Sequence, residues 1–132
     1  MRRVERRLIS SGSPYERTVG FSRAVVVGER VFVAVTAPVM PDGGDPPDDS
    51  YGQAKRCLEI IDRALEEAGG SLADVVRTRV YLTPAADFAE VGRAHGEAFA
   101  EIRPANTTVV VAALVDPRWL VEIEAEAVLG AR

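Results

Sequence analysis

The chain has 132 residues, 47% hydrophobic and 27% charged, with a formal net charge of −4 at pH 7; that length fits one domain over residues 1–132 and leaves no room for a second core. The acidic balance excludes a surface built to track phosphate backbones, so nucleic acid is not an expected partner. No apolar run reaches the roughly 18 residues that span a bilayer, the first residues lack the apolar core of a secretion signal, and Cys57 is the single cysteine, which rules out an intrachain disulfide or a multi-thiolate metal site; a cytoplasmic protein without membrane contact is expected.

Residues 4–10 read as a first strand, closed by the loop signal Ser11-Gly12-Ser13-Pro14. The basic residues Arg2, Arg3, Arg6 and Arg7 around its start are read as a solvated face. Residues 24–27 and 31–36 are β-branched runs joined by Gly28, Glu29 and Arg30, the pattern of a hairpin. Residues 38–49 carry Pro41, Gly43, Gly44, Pro46 and Pro47 and must form a loop. A helix follows: Ser50 and Gln53 have capping-box spacing, and Asp48 and Asp49 place negative charge where the helix dipole favours it. Ala54, Cys57, Leu58, Ile61, Leu65 and Ala68 form one apolar stripe, and Gly69-Gly70 ends it.

Residues 75–82 alternate, with Val76, Thr78, Val80 and Leu82 expected inward and Arg77, Arg79 and Tyr81 outward. Pro84 opens a second helix whose inner stripe is read as Phe88, Val91, Ala94, Ala98 and Phe99, and Ile102-Arg103-Pro104 breaks it. The continuous apolar run at residues 107–114 predicts a central strand covered on both faces. Asp116-Pro117 turns the chain into a last strand at residues 119–129, with Val121, Ile123, Ala125 and Ala127 on one face and Glu122, Glu124 and Glu126 on the other.

The expected order is β-β-β-α-β-α-β-β, an α+β fold with a six-stranded mixed sheet. Two helices can cover one face of such a sheet. The other face is then left partly apolar, which predicts an oligomer.

In this order and spacing the chain resembles the RidA (YjgF) family over nearly its whole length. Gly20-Phe21-Ser22-Arg23-Ala24-Val25 is similar to that family's early G-x-Y-S-Q-A-V segment. Gln53 through Gly69 and then Ser71-Leu72-Ala73-Asp74-Val75-Val76 resemble its first helix and strand entry. Tyr81-Leu82 with Asp87-Phe88 resembles the following join. Arg103-Pro104-Ala105 and Val121-Glu122-Ile123-Glu124-Ala125 match its most specific element, P-A-R followed by V-E-I-E-A. The resemblance implies a chorismate-mutase-like fold, a homotrimeric barrel with helices outside, and small-molecule clefts between subunits. It also implies hydrolysis of reactive enamines and imines to keto acids and ammonia, with no metal or cofactor. The arginine of P-A-R would clamp the substrate carboxylate, and Glu122 would handle a water.

The departures bear on that chemistry. Asn106 stands at the arginine of P-A-R and cannot form a charge-assisted fork. Ala34 and Val35 stand at the family's serine and glycine, Ile60 at a usual asparagine, and Phe21 and Arg23 at its tyrosine and glutamine. The expectation is a non-archetypal member that binds or hydrolyses a small polar enamine, imine or keto metabolite. Three alternatives are an archetypal 2-iminobutanoate or 2-iminopropanoate deaminase, a hydrolase of C=N bonds; the ribonuclease ascribed to some relatives, which the acidic charge disfavours; and a purely structural or chaperone-like trimer, which needs no pocket. Glu122 is the candidate catalytic residue, against its reading as one of several exposed glutamates. Asn106, Thr107, Phe21, Ala34, Val35 and Arg79 are the candidate substrate-binding residues. Arg23, Arg79 and Arg118 compete as a relocated anion clamp. His95 and Cys57 read as packing residues, Trp119 as an anchor for the last strand.

Overall fold

The computed structural model describes residues 2–131. Its main elements are β1 (Arg6–Ile9), β2 (Ala24–Val27), β3 (Arg30–Thr36), α1 (Ser50–Glu67), β4 (Val75–Leu82), α2 (Phe88–Phe99), β5 (Ala105–Val110) and β6 (Val121–Val128). The strands form one mixed sheet in the order β1-β2-β3-β6-β4-β5, antiparallel throughout except for the parallel β4–β5 pair. The α+β order and the six-stranded sheet therefore agree with the sequence.

Both helices pack on one face. Cys57, Ile61 and Leu65 of α1 are fully buried in one cluster with Val31, Val121 and Ile123 of the sheet, and Phe99 anchors α2 in the same cluster. The alternation of β6 is the cleanest in the chain: Val121, Ile123, Ala125 and Ala127 are buried, while the glutamates between them face away from the helices. The uncovered face is mixed. Leu8, Phe32, Val35 and Val109 remain 41–61% exposed, Leu8 the most, and the Arg and Glu side chains of β4 and β6 lie between them.

Four local expectations are corrected. The cap of α1 is Asp49, whose side chain accepts from the Gly52 N–H at 2.7 Å, and Ser50 is already helical and buried. Asp wins because it reaches the first-turn N–H groups and brings charge to the positive helix end. In β4 the inward residue at the strand start is Val75, with Val76 exposed, because a bulge between Val75 and Arg77 resets the alternation against β6. Phe88 opens α2 and stays exposed, so the packed stripe begins at Val91. The apolar run at residues 107–114 is not a central strand: β5 spans Ala105–Val110 and lies at the sheet edge. Since α2 returns the chain parallel to β4 and the other side of β4 is already taken by β6, β5 has only the edge to occupy.

Candidate functional site

The start of β6 is fixed by a buried amide. Gln53 of α1 donates through Nε2 to the carbonyls of Pro47 (2.9 Å) and Arg118 (3.0 Å), and its Oε1 accepts from the Leu120 N–H (2.8 Å). These bonds tie the loop before α1 and the loop before β6 to the helix, and so place Trp119 and Glu122.

Glu122 is half-buried on the face away from the helices and lines two cavities, which also share Val35. The smaller, about 440 Å³, is mostly apolar, with Tyr81, Val111, Leu114 and Val115 among its walls. The larger, about 790 Å³, is formed by Phe21, Arg23, Trp119 and the loop at residues 10–15, together with one flank of α1 that includes Ile60. That loop is organised by Glu16, whose carboxylate accepts from the Ser10 and Ser11 hydroxyls and the Ser11 N–H. Burial pushes the Glu122 carboxyl above the ordinary 4.5, and the Arg23 charge partly offsets that.

Arg23 is half-buried and donates from Nη1 to the Thr36 hydroxyl at 2.9 Å; that fully buried hydroxyl in turn donates to the Ala34 carbonyl at 2.8 Å. The other two clamp candidates are occupied. Arg79 pairs with Glu126 (3.3 Å) and Glu124 (3.8 Å), in a ladder completed by Arg77 with Glu126 and by the Tyr81 hydroxyl donating to Glu124. Arg118 pairs with Asp116 and Asp45, each at 2.8 Å, and holds the Asp116 carboxyl down at about 2.

The structure brings together Glu122, Phe21 and Val35. Ala34 lies beside them at the β3 irregularity, its N–H bonded to the Arg23 carbonyl, but it lines neither cavity. Asn106 is elsewhere. It pairs with Thr78, and Glu122 pairs with Tyr81; Thr78 and Tyr81 are three residues apart on one strand, so their side chains point to opposite faces. The Asn106 amide donates to Thr78 Oγ1 at 3.0 Å and accepts from the Thr108 hydroxyl at 2.9 Å, while Thr78 Oγ1 also bonds His95 Nε2 at 2.8 Å. Thr107, opposite Arg79, shares the face of Glu122. Sequence reasoning read residues 11–14 as a loop but gave them no part in the site, and it placed residues 111–114 in a strand, so the contribution of both segments to the cavity walls was missed; neither carries a pattern that announces it.

His95 and Cys57 are packing residues, as read from the sequence: the His95 ring stacks against Phe99 at 4.7 Å, and burial lowers its pKa. Cys57 is fully buried, and burial pushes its thiol up. It should therefore resist iodoacetamide in the native protein and react only after denaturation, as read by mass spectrometry; rapid native labelling would contradict its burial. Among the described residues, no group of three or more His, Cys, Asp or Glu side chains is placed to hold a metal ion, and no helix is long and apolar enough to cross a membrane.

Comparison with known proteins gives the same direction throughout. The family model described as Endoribonuclease L-PSP matches residues 13–129. A crystal structure of Rv2704 from Mycobacterium tuberculosis, titled a member of the highly conserved YjgF/YER057c/UK114 family, is 46% identical with a TM-score of 0.86, covering 95% of this chain and 100% of that one. RidA from the Antarctic bacterium Psychrobacter is 31% identical with a TM-score of 0.79, over 92% of this chain and 94% of its own. An Escherichia coli protein named "Putative reactive intermediate deaminase TdcF" is 33% identical over 84% of this chain and 88% of its own length. A crystal structure of TdcF holds bound serine and superposes with a TM-score of 0.78 over 92% and 93% of the two chains, at 30% identity. With the motifs, the strand order and the solved relatives in agreement over nearly the full length, the chain belongs to the RidA (YjgF) family, which the matching model describes as Endoribonuclease L-PSP.

Proposed function

We propose that this protein is a non-archetypal family member acting as a homotrimer, whose pockets at the subunit boundaries bind a small polar enamine, imine or keto metabolite beside Glu122. The observation that carries this reading is the position of Glu122. It is a half-buried carboxylate at the junction of two cavities, on the face that no helix covers. The separation of Asn106 from Glu122 supports a site at a boundary, because within one chain the two cannot face the same ligand. The exposed apolar side chains Leu8, Phe32 and Val109 support a covered face in the assembly. The relatives named for deaminase activity and the serine bound to TdcF support a compact substrate carrying nitrogen and a carboxylate. A ribonuclease reading draws less support, since the net charge is −4.

Where the ligand is an imine, the reaction is hydrolysis. Water adds its oxygen to the C=N carbon as Glu122 accepts one of its protons, and that proton passes to nitrogen to give a carbinolamine. The C–N bond then breaks as the hydroxyl proton is transferred to the leaving nitrogen, giving a keto acid and ammonia. The test is keto-acid release from 2-iminobutanoate generated in place by a threonine-cleaving dehydratase, in parallel with sedimentation at micromolar concentration. A particle of three chains and release faster than the uncatalysed rate are expected. A stable monomer, or release at the background rate together with no detectable binding, would overturn the proposal.

A further inference from the structure

We infer that Arg23 is the anion-binding residue of the larger cavity, which therefore selects a compact carboxylate with an N–H donor beside it. The inference rests on reading that cavity as a ligand pocket and names the residue of this chain that holds the ligand's carboxylate.

The arginines near the cavity differ in what already occupies them. Arg56 is committed to the Val39 carbonyl at 2.7 Å and to Glu59 at 3.5 Å. Arg63 lines the cavity from α1 but is exposed to solvent. Arg79 and Arg118 are held by carboxylates. Arg23 has one side-chain hydrogen bond, to the neutral Thr36 hydroxyl, and no ion pair among the described residues. No buried side-chain nitrogen is left without a partner among those residues, so the remaining guanidinium N–H groups open toward the cavity or its water. The Glu16 and Glu122 carboxylates act on Arg23 electrostatically, but neither is in ion-pair contact with it. A cation partly withdrawn from solvent with no direct ion pair is a site for an anion, and a planar guanidinium anchored at one nitrogen presents the rest of its fork to a carboxylate.

Glu122 on the same cavity narrows the choice. Its negative charge opposes a dianion such as phosphate, but it accepts a hydrogen bond from an ammonium or N–H next to a carboxylate. Phe21, Val35 and Trp119 supply apolar wall for a short hydrocarbon chain. The three features together describe a small amino or imino acid, its carboxylate toward Arg23 and its nitrogen toward Glu122.

The probes are 2-aminobutanoate and its methyl ester, which keeps the nitrogen and the chain but removes the carboxylate charge. Binding is measured by titration calorimetry and ligand-observed NMR to the wild type, Arg23→Gln and Arg23→Lys, with folding of each variant checked by circular dichroism. The wild type should prefer the acid over the ester. Arg23→Gln should weaken acid binding by roughly tenfold or more and leave ester binding unchanged, with Arg23→Lys in between because an ammonium keeps the charge without the fork. A merely structural role for Arg23 would weaken both probes alike, which would overturn the inference. Equal acid binding by Arg23→Gln and the wild type would also overturn it and leave the pocket reading intact. Binding of neither probe to the wild type would overturn both. If Arg23→Gln fails to fold, the acid-to-ester ratio of Arg23→Lys decides, and an unchanged ratio sinks the inference.

Discussion

Glu122→Ala is expected to lower enzyme-dependent keto-acid release from 2-iminobutanoate by about 10²- to 10⁴-fold, the usual contribution of a positioned proton acceptor. No neighbour can take over. Glu124 accepts from the Tyr81 hydroxyl and lies 3.8 Å from Arg79, and Glu126 pairs with Arg79 at 3.3 Å, so both are engaged as anions on the same face. Glu122→Gln separates proton transfer from shape, since the amide fills the same space but cannot accept a proton; its loss should approach that of the alanine variant.

The pH dependence has a definite sign. Burial raises the Glu122 pKa above 4.5, the carboxylate is the active form, and activity is therefore lost as pH falls through that raised value. Stability runs the other way. A carboxyl whose folded pKa lies above its unfolded one contributes stability that is present below the unfolded pKa and lost as pH rises through the folded value. At neutral pH the ionised Glu122 is thus a burden on the fold, and Glu122→Gln should melt no lower than the wild type at pH 7 while losing activity. A variant as active as the wild type would remove Glu122 from the chemistry; one that loses activity and melting temperature together would mark it as structural.

Gln53→Leu is expected to destabilise the protein by about 3 kcal/mol, with the melting temperature falling on the order of 10 °C. The substitution nearly conserves volume, so the cost comes from polar groups. The Leu120 N–H and the Pro47 and Arg118 carbonyls each lose their partner at a site where Gln53 is 1% exposed, and an unsatisfied buried group costs roughly 1–3 kcal/mol, less where water can enter. Chemical denaturation of the wild type and variant measures the difference. A change below about 0.5 kcal/mol, within the ordinary range for surface substitutions, would show that the two loops hold their places without the amide. Because the Leu120 anchor immediately precedes β6, the variant should also weaken ligand binding beside Glu122.

Gln53 shows how far local grammar reaches. Its spacing from Ser50 reads as a capping box, and the helix does begin there, but Asp49 performs the capping and the glutamine side chain bridges loops 6 and 65–67 residues away in sequence. Asn106 and Glu122 make the same point for the site. The motifs that carry the family resemblance contain both, yet the register of β4 with its two neighbours puts them on opposite faces of one chain. Among Arg23, Arg79 and Arg118, nothing in composition or spacing separates a guanidinium without an ion pair from one held by carboxylates; the structure pairs the latter two with Glu or Asp, while Arg23 bonds the Thr36 hydroxyl.

The sequence by itself determined the element order, the packed stripe of α1, the inward face of β6, the packing roles of Cys57 and His95, and the family, because helix and strand periodicity and motif spacing are written in neighbouring residues. The tertiary structure alone decided that β5 lies at the sheet edge, that a bulge resets the face of β4, that Gln53 binds two loops, and that Arg23 shares a cavity with Glu122. Those outcomes depend on strand order, register and side-chain partners far apart in the chain, which local propensity does not encode.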